Sequence, residues 1–241
     1  MSINLITTLT TPSHASSLPN VPIDNLPTLT TCLSLSGTSL TCGSDNRLRR
    51  SIYQTYIDAG DFSEAAATLS TLRFDSALPN YTFTPSEILD VYVTVSECYI
   101  EDDDSVKAEV FVGKAASVVA QVDPASTEVL RFQSTRARVL DAQRKFLQAS
   151  EFYYQLSTAT HPSIHPPDLL LLLAKSCTTA VLGKSGPRRR KVLSLLACDA
   201  RLVQLSSIPG CVAHSDIVLR MHRLELLGTT STAAFAGTLA P

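Results

Sequence analysis

Residues 137–157, ARVLDAQRKFLQASEFYYQLS, contain two helices and the short turn that joins them. The second half carries four residues spaced three, four and three positions apart, which is the period of one helix face. These residues are Phe146, Ala149, Tyr153 and Leu156. Val139 and Leu140 follow the same period in the first half, and polar residues 143–145 separate the halves. The stretch therefore predicts an antiparallel helical hairpin.

The same pattern recurs upstream at intervals close to forty residues. Small residues mark the equivalent positions at Ala65, Ala108 and Ala149, which are 43 and 41 residues apart. A unit of this length, with a helical pair and a small residue at the crossing, is typical of an α-solenoid. We therefore predict an all-α fold, namely a right-handed α-solenoid of tetratricopeptide-like helical hairpins.

Several helix starts can be placed from the sequence. Thr84, Pro85 and Glu87 combine a cap, a first-turn proline and a capping glutamate. Asp61 precedes Glu64 by three residues, which predicts an aspartate variant of the same capping box. An aspartate and a proline at residues 123–124 predict another helix start. A fourth hairpin is expected over residues 168–203, followed by one amphipathic helix at about 216–227 and a small-residue tail.

Composition divides the chain into three parts. Residues 1–49 form a low-complexity arm rich in Ser, Thr and Pro, and Asp24 is the only charged residue among the first 44. Such a segment buries too little apolar surface to offset its ordering entropy, so we expect it to be flexible. Residues 50–206 are expected to form the helical repeats, and residues 207–241 a separate helical segment.

Charge and hydropathy exclude several classes of protein. A formal net charge of -2 gives no bulk attraction to nucleic acid. The first eleven residues lack the basic and apolar regions of a secretory signal, and the apolar run at 169–174 is far short of the ~20 residues that span a membrane. We expect an intracellular chain with reduced cysteines. Cys98, Cys177 and Cys198 lie in apolar helical stretches and are expected to pack as small hydrophobic side chains.

No catalytic or metal-binding pattern appears in the sequence. The six cysteines form no CxxC pair, and the five histidines form neither HxH nor HExxH, the spacings from which zinc sites are built. His161 and His165 each precede a proline, so we expect the histidines on loops and on the surface. Residues 183–185 lack the earlier glycine of a phosphate-binding loop, because Thr178 occupies that position. We predict no catalytic residue, no metal and no cofactor.

Two charged clusters are candidates for other roles. The basic run comprises Arg188, Arg189, Arg190 and Lys191. Cations at a helix start oppose the helix dipole, so a partner that offsets this cost is one interpretation, beside a solvated turn or a nuclear-import signal. The acidic residues 101–104 lack the spread of oxygen ligands and the glycine of a calcium loop. They are expected to form an exposed turn that caps the next helix.

Three stretches carry a resemblance to a known family: YIEDDDSVKAEVFVGKAASVV at 99–119, the hairpin at 137–157 and residues 179–199. Together they resemble the subunit 4 family of the COP9 signalosome, among the PCI-domain proteins. The shared features are an acidic turn after a helix ending in Tyr, an Ala-Glu pair, an ARVLD-x-x-RKF hairpin and a later GK-x-G-x-x-R-x-R-x-L turn. The resemblance covers roughly residues 50–241. It implies that residues 207–241 are the incomplete start of the PCI helical region.

The resemblance also implies a function. It indicates a non-catalytic scaffold subunit of the complex that removes the ubiquitin-like modifier NEDD8 from cullins and so regulates cullin-RING ubiquitin ligases, with the metalloprotease centre in another subunit. Implied partners are the other signalosome subunits, with a cullin-RING ligase as the substrate of the complex and neither nucleic acid nor membrane. The implied location is the cytoplasm and the nucleus. Alternatives are a PCI subunit of the proteasome lid, or a free-standing tetratricopeptide-like adaptor that binds proteins.

The chain departs from that family at both ends. Members carry further N-terminal helical repeats, and the sequence stops at Pro241 before the winged helix, so a truncated and divergent copy is expected. An apolar face near the end would then lack its covering layer, which predicts self-association and weak incorporation into the complex. This face comprises Ile217, Leu219, Leu224, Leu226, Phe235 and Leu239.

Overall fold

Ten α-helices and two short 3-10 helices make up most of the residues that the structure, a computed structural model, describes: 42–72, 74, 83–159, 164–208 and 210–239. No strand occurs within those ranges. The α-helices are α1 Cys42–Ala59, α2 Phe62–Ser70, α3 Pro85–Glu101, α4 Ser105–Val118, α5 Thr127–Ala142, α6 Phe146–Ser157, α7 Pro166–Leu182, α8 Pro187–Ala197, α9 Val212–His222 and α10 Thr229–Leu239. The 3-10 helices are Val119–Gln121 and Ala200–Ser207. The predicted all-α class is confirmed.

Helix α1 begins earlier than the sequence indicated. It starts at Cys42, so the predicted boundary between residues 49 and 50 falls inside a helix. The first turn of α1 consists of small residues, which are as common at helix starts as in loops. Composition alone therefore did not indicate that the helix begins there. The rest of the predicted arm and the predicted loop at 77–82 lie outside the described residues.

The described part of the chain forms two compact units, which divide between Thr135 and Arg136, within α5. In the N-terminal unit, α1 packs on α2, α2 on α3 and α3 on α4. Gly60 adopts a φ of 84° after α1, a left-handed conformation that glycine tolerates best at a helix end. The apolar core of this unit includes Ile52, Leu69, Leu89 and Val95.

Of the two capping boxes predicted from the sequence, one is present in the structure. At α3 the Thr84 hydroxyl accepts a hydrogen bond from the Glu87 amide at 3.3 Å, and the Glu87 carboxylate accepts one from the Thr84 amide at 2.8 Å. The predicted capping box is therefore confirmed. Asp61 does precede α2, but its side chain makes no cap hydrogen bond, so the aspartate variant predicted there is wrong.

The start of α5 also differs from the prediction. This helix begins at Thr127 rather than at residues 123–124. The Asp123 carboxylate accepts a hydrogen bond from the Ala125 amide at 3.0 Å, which closes a separate turn. The Ser126 hydroxyl then accepts one from the Val129 amide at 3.4 Å. The aspartate stabilises the turn and the serine stabilises the first turn of the helix.

In the C-terminal unit, the turn predicted at residues 143–145 joins α5 and α6. The Lys145 amide donates to the Leu140 carbonyl at 2.8 Å, and Arg144 has a φ of 58°. On the C-terminal side of this turn, α6 packs on α7, and α8, α9 and the Ala200–Ser207 helix surround an apolar cluster. That cluster includes Leu173, Cys177, Leu193, Leu196, Leu202, Leu205 and Val218.

Small residues lie where the helices cross. The three alanines that define the repeat, Ala65, Ala108 and Ala149, lie in α2, α4 and α6 and are completely buried. Beside Ala149, the buried residues Ser150 and Ser176 exchange hydrogen bonds between α6 and α7. The Ser150 hydroxyl donates to the Ser176 carbonyl at 2.8 Å, and the Ser176 hydroxyl donates to the Ser150 carbonyl at 2.9 Å. The backbones of these two helices are therefore held in close approach.

The C-terminal residues are more helical than predicted. The helix expected at 216–227 is α9, which spans Val212–His222, and the predicted tail contains α10. Ile217 and Phe235 are buried, so these two residues of the apolar face are covered, contrary to expectation. Leu224 and Leu226 are 73% and 97% exposed. Because Ala, Thr and Gly surround Phe235, α10 can bury that ring against α9 without showing a wide apolar stripe in the sequence.

Candidate protein-interaction surface

The basic run lies at the start of α8, as predicted, after a turn that contains Gly183. At Gly183 an added Cβ would lie 2.3 Å from Cδ2 of Leu147 on α6, so the turn approaches that helix too closely for any other residue without movement. Pro187 is the first residue of α8, where its fixed φ suits the helix and its missing N–H costs nothing. Gly186 precedes it and supplies no side-chain cap.

Arg188 is paired within the chain. Its Nε donates to Oε1 of Glu151 at 3.0 Å and its Nη2 donates to Oε2 at 2.7 Å. These bonds hold the pKa of the Glu151 carboxyl below its usual range and raise that of Arg188. The side chains are 50% and 38% exposed, so the pair contributes at most about 1 kcal/mol to stability.

Arg189 has a different environment from its neighbour. It is partly buried, its Nη2 donates to the Val181 carbonyl at 3.0 Å, and the same nitrogen lies 3.5 Å from Sδ of Met221. Val181 lies in the last turn of α7, where carbonyls lack helical partners and the helix dipole favours a cation. Burial lowers the pKa of Arg189. This arginine therefore caps α7 rather than facing a partner.

Arg190 and Lys191 differ from Arg188, which is also exposed, in their contacts. Both are exposed, and within the described part of the chain neither makes a hydrogen bond or an ion pair. The charge of Lys191 nevertheless contributes to the lowered pKa of Glu151, so the lysine lies near the Arg188–Glu151 pair. The structure thus divides the four candidate residues into two that are used internally and two that are available.

No cluster of three or more His, Cys, Asp or Glu side chains suited to a metal ion occurs among the described residues. Nor does any helix in the described ranges have the length and apolar character to cross a membrane.

His214 was expected on the surface, which is wrong, since it is 5% exposed on α9. Its Nε2 is 2.9 Å from the Thr178 hydroxyl, and its ring centroid is 5.3 Å from that of Phe235. Burial lowers its pKa.

Two of the three cysteines expected to pack in the core do so. Cys98 and Cys177 are buried, and burial raises their pKa to about 11 and about 12, so neither thiol ionises near neutral pH. Cys198 is exposed, so the prediction is wrong for that residue. It follows the last residue of α8, where the helical period no longer determines which side faces the core.

The acidic residues 101–104 form a capping turn, as predicted. Oδ1 of Asp104 accepts a hydrogen bond from the Lys107 amide at 3.0 Å, and Oδ2 lies 2.9 Å from the Lys107 ammonium. These bonds lower the pKa of Asp104. Asp103 has a φ of 58°, which an aspartate tolerates better than most side chains. The turn therefore has a structural role at the start of α4.

A polar network in the N-terminal unit had no counterpart in the sequence predictions. Arg131 on α5 donates to the Glu97 carboxylate, with Nε 3.1 Å from Oε1, and also forms an ion pair with Asp90. The Thr135 hydroxyl donates to the same Glu97 oxygen at 3.0 Å, and Arg131 Nη2 donates to Thr94 at 3.1 Å. The one feature of the sequence that could have indicated this network was a glutamate within the apolar part of α3.

The chain resembles proteins of one family along most of its length. The profile of the family described as PSMD12/CSN4, N-terminal, matches residues 43–165. A Neurospora crassa protein is 32% identical over 181 residues, 75% of this chain and 39% of that protein. An Emericella nidulans protein is 27% identical (82% and 45%), and one from Arabidopsis thaliana is 29% identical (80% and 48%). Each is named COP9 signalosome complex subunit 4, and this chain spans less than half of each.

Proposed function

This chain belongs to the PSMD12/CSN4 N-terminal family, and on that premise we propose that it is an interaction subunit of a COP9 signalosome-type assembly. The observation that carries the proposal is the family match over residues 43–165, together with relatives that are named as subunit 4 of that complex. The matched region consists of helical hairpins, a class of structure whose helix faces commonly bind other proteins. The chain would act through such faces.

The finer part of the proposal concerns the reaction of the assembly. We propose that the complex removes NEDD8 from cullins, that this chain is a non-catalytic scaffold, and that the metalloprotease centre lies in another subunit. Its partners would be the other signalosome subunits, with a cullin-RING ligase as the substrate of the complex and neither nucleic acid nor membrane. The expected location is the cytoplasm and the nucleus, which imaging of a fluorescent fusion tests.

The test of the proposal is purification of the affinity-tagged chain from cells, followed by identification of the proteins that accompany it. Signalosome subunits in fixed proportion are the expected result, with cleavage of neddylated cullin by the purified complex but not by the chain alone. Recovery of proteasome-lid subunits would favour the lid alternative. A chain that is recovered as a stable monomer would favour a free-standing adaptor and overturn the proposal.

A further inference from the structure

We propose that the exposed face of α8 docks an acidic segment of a partner protein that carries an apolar anchor residue beside its acidic residues. We call this surface the α8 basic face and define it by Arg190, Lys191 and Leu195. The inference rests on the proposed function only in that the chain acts through protein contacts. It goes further by naming the surface and the chemistry of its partner.

The first step concerns the cost of the cations. A basic side chain in the first turn of a helix opposes the helix dipole and is therefore destabilising there unless another group compensates it. For Arg188 this cost is offset by Glu151, and for Arg189 by the Val181 carbonyl. Arg190, the fourth residue of α8, has no such compensation within the described residues, and the N-cap Gly186 offers no side chain. Lys191, one residue further on, is attracted by the Glu151 carboxylate but makes no hydrogen bond or ion pair there. Acidic groups supplied by a partner would provide this compensation.

The second step concerns the apolar part of the face. Lys191 and Leu195 are four residues apart, so they are neighbours on one side of the helix. Leu195 is 45% exposed, whereas Val192, Leu193 and Leu196 on the other side are buried. Two cations and an exposed leucine one turn further on match a segment with acidic residues and an apolar side chain about one helical turn away. A phosphate backbone could use the cations but not the leucine.

The third step concerns the edge of the face. The Glu151 carboxylate, held by Arg188 and near Lys191, limits how far an acidic ligand can extend in that direction. A net charge of -2 for the whole chain further disfavours long polyanions such as nucleic acid. The charges therefore favour a short acidic protein segment that lies over Arg190 and Lys191.

The probe for the test is a fluorescein-labelled peptide of twelve residues, with four consecutive Asp and Glu residues and one Leu four positions after them. Binding is measured by fluorescence anisotropy in 50 mM and 200 mM salt. The variant R190Q/K191Q is expected to bind about tenfold more weakly at low salt and to lose most of the salt dependence. L195S is expected to bind about threefold more weakly with the salt dependence intact.

R47Q/R50Q is the matched control, because it removes the same charge from two exposed arginines of α1. It should bind the peptide within twofold of the unchanged chain. No measurable binding by the unchanged chain, or equal losses in the control, would overturn the inference. So would an equal affinity for a twelve-nucleotide single strand that L195S leaves unaltered. Thermal melting of each variant verifies that it is folded.

The inference and the proposed function fail in different ways. If the chain purifies with signalosome subunits but R190Q/K191Q binds the peptide as well as the unchanged chain does, the docking surface is refuted and the function stands. If the peptide assay gives the expected losses but no signalosome subunit accompanies the chain, the surface stands and the function is refuted.

Discussion

Arg131 in the N-terminal unit and Arg189 in the C-terminal unit are both partly buried, yet they interact with different kinds of group. Arg131 is held by the carboxylates of Glu97 and Asp90, whereas Arg189 donates to a backbone carbonyl. Carboxylates compensate the charge of a guanidinium, whereas a carbonyl accepts one of its hydrogen bonds and leaves the charge in place. The positive charge of Arg131 is thus compensated by neighbouring carboxylates, and the start of α8 remains positive.

The largest expected effect is the loss of Arg131. Arg131→Met leaves the Glu97 carboxylate, 12% exposed, without its cation, and we expect a loss of about 3 kcal/mol in the free energy of unfolding. Arg189→Met removes one hydrogen bond to a carbonyl and should cost about 1 kcal/mol. Urea unfolding of both variants measures the difference. Equal losses would show that the two arginines are not distinguished by their partners.

The next effect depends on pH and belongs to the C-terminal unit. Burial lowers the pKa of His214, which faces Thr178, Phe235 and the Cys211 carbonyl, so the unfolded chain binds its proton more readily. Stability should be complete above the ordinary histidine pKa of about 6.5 and fall as pH decreases, by at most about 1.4 kcal/mol per pH unit. His214→Gln should flatten the profile below about pH 6.5. An unchanged slope would contradict the assignment.

Two glycines, one in each unit, should respond to alanine with opposite signs. Gly113 lies within α4 with nothing near its added Cβ, so Gly113→Ala should raise the free energy of unfolding by about 0.5–1 kcal/mol. Gly183→Ala would collide with Leu147, and because that side chain is partly exposed and can move, a loss of about 1 kcal/mol is expected. Chemical denaturation measures the free energy of unfolding of both variants. An increase in both would show that glycine is not needed at position 183.

The smallest effect is expected at Arg188. Its pair with Glu151 is about half exposed, so Arg188→Gln should alter the free energy of unfolding by less than about 1 kcal/mol. The expected change shrinks further in high salt, since exposed ion pairs are screened. Thermal melting at two salt concentrations measures it. A loss as large as that of Arg131→Met would mean that the pair is less exposed in solution than its geometry indicates.

Helix identity was predictable from the sequence wherever apolar contrast was strong. The spacing around Ala65, Ala108 and Ala149 identified three buried positions correctly, because closely packed helices leave room there only for small side chains. Helix α10 was missed since its alanines, threonines and glycine give little contrast between faces. The capping role of Arg189 could not be foreseen, because it depends on where the Val181 carbonyl lies after the chain reverses.

The reciprocal hydrogen bonds between Ser150 and Ser176 have a consequence for protein engineering. Each hydroxyl finds its partner only when α6 and α7 are aligned in one position, and a displacement by one turn would leave two buried hydroxyls unsatisfied. The pair therefore helps to fix the register of the two helices relative to each other. A graft of α6 or α7 alone into another repeat protein would therefore need a main-chain carbonyl of the host within reach of its serine, or alanine in place of that serine.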